Sequence, residues 1–311
     1  MPIDADIAAL LEQLALAEPP SSLAELRQAT EIGLLAWHGP LEAIDRTATF
    51  EVPTRDGQKM RVRAYWPLGT GDSTLAQPAI VYAHGGGWCL GTLDLYDNPC
   101  VALAKATQSV VLSVDYRLAP EHKFPVSLQD FCDALDWVFS KAISLGLDPM
   151  RIAVGGDSAG GNLAAAACLI TREQGGPRIA HQLLLYPPLD ASMNTASYQT
   201  YRQGYYLTEE VMRYCFNMYL ADPAEAASPY VSPLRAASLE GLPPATLLVC
   251  EFDPLHDEAQ AYAERLRKAG VPVHLTVLPG MVHACIHMCG VVPAARYLWE
   301  VVAERMNAFG R

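Results

Sequence analysis

The stretch RIAVGGDSAGGNLAAAACLI, residues 151–170, decides the fold. It opens as a short apolar run, RIAVGG, and passes without a loop into an alanine-rich helical pattern from Ala159 to about Glu173. At the junction, Gly156-Asp157-Ser158-Ala159-Gly160 spells GxSxG. A serine at such a strand-to-helix turn stands where neighbouring side chains clash and glycines do not. The turn lifts the hydroxyl above the sheet, and the helix N-terminus sets positive potential beneath a developing oxyanion. The rival reading is a glycine-rich turn with an ordinary N-cap serine. The surroundings decide between them.

Outward from this junction, strand-like runs alternate with helical segments from residue 48 onward. ATFEVP, RVRAYWP, PAIVYAHGG and SVVLSVDYR precede an amphipathic stretch from FPVSLQDF to about Leu145. HQLLLYPPL follows the central helix; then come ATLLVCEFD, the helix DEAQAYAERLRKAG, VPVHLTVLPG and a final helix from Pro293. The pattern predicts an α/β fold, a mainly parallel sheet flanked by helices on both faces, with its active groups in loops at the carboxyl ends of strands. Residues 48–189 and 239–311 make up that domain. Residues 1–47 and 190–238 break the alternation and are expected to form a helical cap over the site; the rival is helices that merely cover apolar surface. The strand near 272–278 is apolar enough to want cover as a sheet edge.

The segment PAIVYAHGGGWCLG (78–91) runs a strand into His84-Gly85-Gly86-Gly87. Consecutive glycines leave N–H groups open to a substrate oxygen, and with the N–H of Ala159 they can stabilise a tetrahedral intermediate. A phosphate loop is the rival, but GxxxxGK[ST] and GxGxxG are absent and no lysine stands nearby. His84 precedes the hole and reads as a brace for the loop.

Serine activation needs an imidazole held by a carboxylate, in the order Ser, then Asp/Glu, then His. Asp253 ends the strand LLVCEF and enters a turn at Asp253-Pro254. Asp257 reads as a cap or dipole partner, and Glu251 is still within the strand. Of the histidines at 38, 84, 122, 181, 256, 274, 283 and 287, only His283 and His287 fall in the loop after the last strand.

That loop reads HACIHMC, with His283, Cys285, His287 and Cys289 at alternate positions. On a helix the cysteines point about 200° away from the preceding histidines, and on a strand the end residues are about 20 Å apart. Neither geometry gathers a metal, and HxxxH lacks the glutamate of a hydrolytic zinc helix. His287 reads as a supporting residue, with an exchange of roles with His283 left open.

Composition narrows the classes of function. With 22 Lys+Arg against 34 Asp+Glu the formal charge is −12, and no basic run suits nucleic acid or an anionic membrane. The acidic N-terminus MPIDADIAALLEQL does not resemble a secretory signal, and no apolar run reaches membrane-span length. Eight cysteines scattered among apolar neighbours suit buried reduced thiols in a cytoplasmic protein.

In family order, HGGGW (84–88), DYRLAPEHKFP (115–125), GDSAGGN (156–162), DPLHDEA (253–259) and His283 resemble the hormone-sensitive-lipase branch of the α/β-hydrolase esterases, bacterial family IV. The resemblance implies Ser158 as nucleophile, Asp253 as acid and His283 as base. It implies oxyanion N–H groups from Gly86, Gly87 and Ala159, no cofactor, and a cap from residues 1–47 and 190–238 over an acyl pocket. A homodimer through the edge strand near 272–278 is a further implication of the resemblance. GDSAG places the chain in the subgroup of that motif. The expected activity is a serine carboxylesterase on short- to medium-chain esters, with Trp88, Tyr186, Tyr206 and Leu207 expected at the pocket. Amide, carbamate or lactone hydrolysis, and a non-catalytic ligand-binding relative, are the alternatives. One departure stands out: the family follows its base with Gly and an aromatic, whereas this chain has Ala284-Cys285. DYRLAPEHKFP itself reads as a rigid supporting corner.

Overall fold

The computed structural model describes residues 2–18, 20–70 and 75–306. Eight strands form one sheet: β1 (Arg46–Pro53), β2 (Lys59–Trp66), β3 (Gln77–Ala83), β4 (Val110–Val114), β5 (Leu147–Asp157), β6 (Gln182–Leu185), β7 (Ala245–Phe252) and β8 (Val273–Val282). Their order is β1-β2-β4-β3-β5-β6-β7-β8. The β1–β2 and β2–β4 pairings are antiparallel, and every pairing from β4–β3 through to β7–β8 is parallel.

Helices cover both faces: α1 (Ala5–Leu14), α2 (Leu23–Trp37), α3 (Asp97–Thr107), α4 (Val126–Lys141), α5 (Ala159–Glu173), α6 (Ala196–Thr200), α7 (Glu209–Tyr219), α8 (His256–Lys268) and α9 (Tyr297–Met306). The period of two along each strand sorts side chains into two cores. Ala79, Val81 and Ala83 of β3 join the core that holds α4, α5 and α8, while Ile80 and Tyr82 join the one that holds α3 and α9. Strands β4 and β6 are buried along their whole length, so each apolar side chain there contributes about 1.5–3 kcal/mol by leaving water. Helix α3 was not among the helical segments expected from the sequence. Among the described residues, no helix is long and apolar enough to cross a membrane.

Because β3, β5, β7 and β8 run parallel, their carboxyl ends meet at one end of the sheet. The loops that leave Ala83, Asp157, Phe252 and Val282 therefore bring the glycine run, Ser158, Asp253 and His283 together. The corner DYRLAPEHKFP supports this end from the side. Arg117 makes two hydrogen bonds to the carboxylate of buried Asp130, at 2.9 and 2.7 Å, and a third to Asp56. Lys123 Nζ donates to the carbonyls of Asn217, Met218 and Leu220 at the C-terminus of α7. These are the last carbonyls of a helix, which have no intrahelical donor of their own.

Candidate active site

Ser158 has φ 50° and ψ −125°, a backbone conformation that costs a non-glycine residue about 1–3 kcal/mol. Packing on both sides holds it there. The Ser158 N–H donates to Leu185 O at 2.8 Å. A Cβ on Gly156 would strike the Gly160 backbone, and one on Gly160 would strike the carbonyl of Ala83. The glycines of the motif are thus the condition for strand and helix to meet so sharply.

His283 Nε2 stands 2.8 Å from Ser158 Oγ, and His283 Nδ1 stands 2.7 Å from Asp253 Oδ2. Asp253 is fully buried, and its other oxygen accepts from Leu255 N–H at 2.9 Å. An ionised carboxylate can only accept, so Nδ1 keeps its proton and donates it in a hydrogen bond to Asp253, leaving the Nε2 lone pair facing the serine hydroxyl. Tyr186 packs edge-on against the imidazole, with ring centres 4.9 Å apart. The other two carboxylates are occupied elsewhere. Asp257 accepts from Ser197 N–H and Glu251 from Gly280 N–H, each at 2.8 Å.

The glycine loop is tightly held, while its next two amides are left open. Gly85 N–H is shared between Tyr96 OH (2.9 Å) and Asp157 Oδ1 (3.0 Å). Tyr116 OH donates to His84 O at 2.8 Å, and the His84 ring lies 2.7 Å from Gly85 O and stacks on Tyr116. Gly86 and Gly87 adopt φ of 113° and 58°, and among the described residues their N–H groups have no acceptor. Ala159 is the first residue of α5, so its N–H has no intrahelical partner either.

Beside this loop runs a buried polar chain. Asp157 accepts from Tyr82 OH and Tyr96 OH, both at 2.9 Å. Burial pushes its carboxyl up to about 6 against the opposing effect of those hydrogen bonds. Tyr96 OH lies 3.2 Å from His287 Nε2, and His287 Nδ1 lies 2.8 Å from His38 Nε2. Tyr96 spends its one proton on Asp157, so His287 donates from Nε2 and accepts from His38 at Nδ1. Burial, and then the neighbouring His38, His84 and His283, hold the His287 imidazole well below its ordinary pKa. His287 is therefore a neutral link between the end of α2 and the loop, with Tyr96 between it and Asp157.

The HACIHMC segment is neither helix nor strand. Ala284 takes the left-handed conformation (φ 63°, ψ 21°), and Cys285–His287 form a single 3-10 turn. The left-handed angle explains why a glycine suits that position, and alanine there costs about 1 kcal/mol. Cys285 Sγ points into the core, 3.7 Å from Cys250 Sγ. Among the described residues, no group of three or more His, Cys, Asp or Glu side chains is placed to hold a metal ion.

Above Ser158 and His283 lies a cavity of about 680 Å³. Leu23, Leu26 and Leu34 of α2 border it on one side, and Leu207, Met212 and Cys215 of the α7 region on the other. Of the four residues expected at this pocket, Tyr206 and Leu207 border it, while Trp88 and Tyr186 do not. Trp88 instead stacks on Tyr219, with ring centres 4.4 Å apart. Tyr186 lies against the His283 imidazole instead of beside the cavity. The leucines of α2 were not singled out from the sequence. Their signal was present in the spacing of Leu23, Leu26, Thr30 and Leu34, one stripe of a helix.

The chain matches, over residues 80–287, the model of a family described as the alpha/beta hydrolase fold. It belongs to that family, in the hormone-sensitive-lipase-like branch that its motifs resemble. Among its relatives, the ethyl acetate hydrolase of Pseudomonas putida is 38% identical, the match covering 86% of this chain and 85% of that protein. The carboxylesterase NlhH of Mycobacterium tuberculosis is 43% identical over 75% of this chain and 73% of its own. A hyperthermophilic esterase from the archaeon Pyrobaculum calidifontis superposes with a TM-score of 0.92, at 35% identity and 99% coverage of both chains.

Proposed function

We propose that this chain is a serine carboxylesterase that hydrolyses short- to medium-chain esters through an acyl-enzyme. The observation that carries the reading is His283, which touches Ser158 Oγ with one nitrogen and buried Asp253 with the other, on the floor of an apolar cavity. Ser158 Oγ attacks the ester carbonyl while His283 Nε2 takes its proton, and Asp253 stabilises the imidazolium. The oxygen of the tetrahedral intermediate is received by the open amides of Gly86, Gly87 and Ala159. His283 then protonates the leaving alcohol. Water, deprotonated by the same nitrogen, attacks the acyl-serine and releases the acid.

Residues 1–47 and 190–238 act as a cap: α2 and α7 supply the apolar walls that receive the acyl and alcohol groups. The cavity volume suits small esters, in keeping with the ethyl acetate named for one relative. The exposed edge of β8 is the surface we assign to a homodimer. Eight unpaired thiols accord with work in the cytoplasm.

The test is a p-nitrophenyl ester series from acetate to palmitate, run on the wild type and Ser158→Ala with fluorophosphonate labelling. Labelling of the wild type alone, with best kcat/KM at or below medium chain length, is the expected result. An unlabelled Ser158, or undiminished turnover by Ser158→Ala, would overturn the triad. Best turnover on palmitate would overturn the substrate range.

A further inference from the structure

Two sulfurs in the cavity take no part in acyl transfer. Of the eight cysteines, only Cys89 and Cys215 border the cavity above Ser158. Cys89 closes the turn that carries Gly86 and Gly87, its N–H donating to Gly86 O at 3.1 Å. Cys215 lies in the middle of α7, on the opposite wall. Both sulfurs reach the space beside Gly87, which has no side chain. A Cβ there would collide with Cys215 Sγ and stand 3.9 Å from Cys89 Sγ. Cys215 beside it holds Cys89 below the usual thiol range, while Cys89 and burial drive Cys215 well above it. Arg27 Nε donates to Cys89 O at 2.9 Å, which places a guanidinium beside Cys89 and marks it as the attacking sulfur of the two.

We propose that Cys89 and Cys215 form a peroxide-sensitive dithiol, a modification site whose oxidation joins helix α7 covalently to the oxyanion loop. Cys89 thiolate attacks one oxygen of a hydroperoxide; the O–O bond breaks, the leaving oxygen is protonated, and Cys89 becomes a sulfenic acid. Cys215 sulfur then attacks Cys89 sulfur, the S–O bond breaks, and the departing hydroxide leaves as water with the Cys215 proton. The two thiols lose two electrons and two protons, and the hydroperoxide is reduced to water and, for an organic peroxide, its alcohol. A dithiol reductant reverses the change. The bond pins the cap directly over the Gly86 and Gly87 amides, so ester turnover falls.

The second close pair, Cys250 and Cys285 at 3.7 Å, supplies an internal control because it lies in the core and does not border the cavity. The activity readout rests on the esterase reading; the chemical readout does not. The full chain is treated with equimolar hydrogen peroxide, digested without reduction and mapped by mass spectrometry. Expected are a Cys89–Cys215 linked peptide, an ester hydrolysis rate lowered by about tenfold or more, and recovery with dithiothreitol. Phenylarsine oxide, which bridges two thiols, should inhibit likewise. Cys215→Ser and Cys89→Ser, each measured against its own untreated rate, should lose the reversible inhibition. A linked peptide at Cys250–Cys285 alone, no linked peptide, or a mapped Cys89–Cys215 bond with unchanged turnover each overturns the proposal. The first two outcomes leave the triad intact, and only the labelling of Ser158 speaks to that.

Discussion

Helix α5 beneath Ser158 buries 11 of its 15 residues, whereas α2 above it, also 15 residues long, buries Leu34 alone. The floor of the cavity is fixed by packing on every side: Ala and Gly faces of α5 lie against β3, β5 and β6, and the strained turn at Ser158 has no room to relax. The roof is fixed at a few points. Arg27 of α2 reaches Cys89 O at 2.9 Å, Ala119 O at 3.0 Å and the carboxylate of Glu121. Thr92 donates to Glu31 of the same helix. At the end of the helix Trp37 O accepts from Gly290 N–H at 3.0 Å and the Trp37 ring packs edge-on against Tyr206, while Ile32 is 61% exposed. The surroundings of Ser158 are therefore held by packing throughout, and the wall above them by fewer contacts.

The sharpest way to break this comparison is in the floor. His283→Ala should lower kcat/KM by about 10⁴-fold with little change in KM, while His287→Ala retains measurable turnover. Equal losses would end the distinction between base and supporting link. Leu163→Ala, fully buried in α5, should destabilise the fold by about 2–5 kcal/mol in urea unfolding, against at most about 0.5 kcal/mol for Ile32→Ala in the roof. Similar values for both would make the roof as integral as the floor.

Acid should reach the floor through the buried imidazoles. The folded pKa of His287 lies below its ordinary value, so the unfolded chain takes up the proton first. Its contribution is complete above pH of about 6.5 and is lost as pH falls, at up to about 1.4 kcal/mol per pH unit for one proton. His38, His84 and His181 are shifted in the same sense and add to the slope. Asp157 opposes it: raised to about 6, it binds its proton first in the folded state, so its ionisation favours unfolding as pH rises through that range. His287→Gln should flatten the fall in urea midpoint below pH 6.5; an unchanged slope would remove His287 from the account.

Leu207→Trp, in the roof, should shift the ratio of kcat/KM for butyrate over decanoate by about tenfold in favour of the shorter ester, with the melting temperature almost unmoved. Smallest is Ala284→Gly, which relieves the left-handed alanine and should stabilise the fold by up to about 1 kcal/mol.

The same contrast governs what the sequence made legible. All eight strands and α5 announce themselves because buried parallel strands are short apolar runs and the GxSxG turn allows one geometry. Helix α3 does not. Its N-cap Tyr96 makes no side-chain cap bond, and the Asp97-Asn98-Pro99 start reads as a turn. Trp88 and Tyr186 were expected at the pocket, yet Trp88 stacks on Tyr219 and Tyr186 packs against His283. Such ring contacts are set by tertiary packing and leave no mark in composition. The partners of His287 are equally hidden, since His38, Tyr96 and Asp157 meet only when the sheet and roof are assembled.

Lys123 gives the roof a direction. With its ammonium group on three terminal carbonyls and Phe124 N–H on Tyr219 O at 2.8 Å, one end of α7 is fastened to the corner after β4. Its other end, at Thr208, is held by its own cap and by contacts within the roof segment. The two ends of α7 are thus anchored by different means: the last carbonyls by a cation and an amide from the corner after β4, the first turn by the Thr208 hydroxyl.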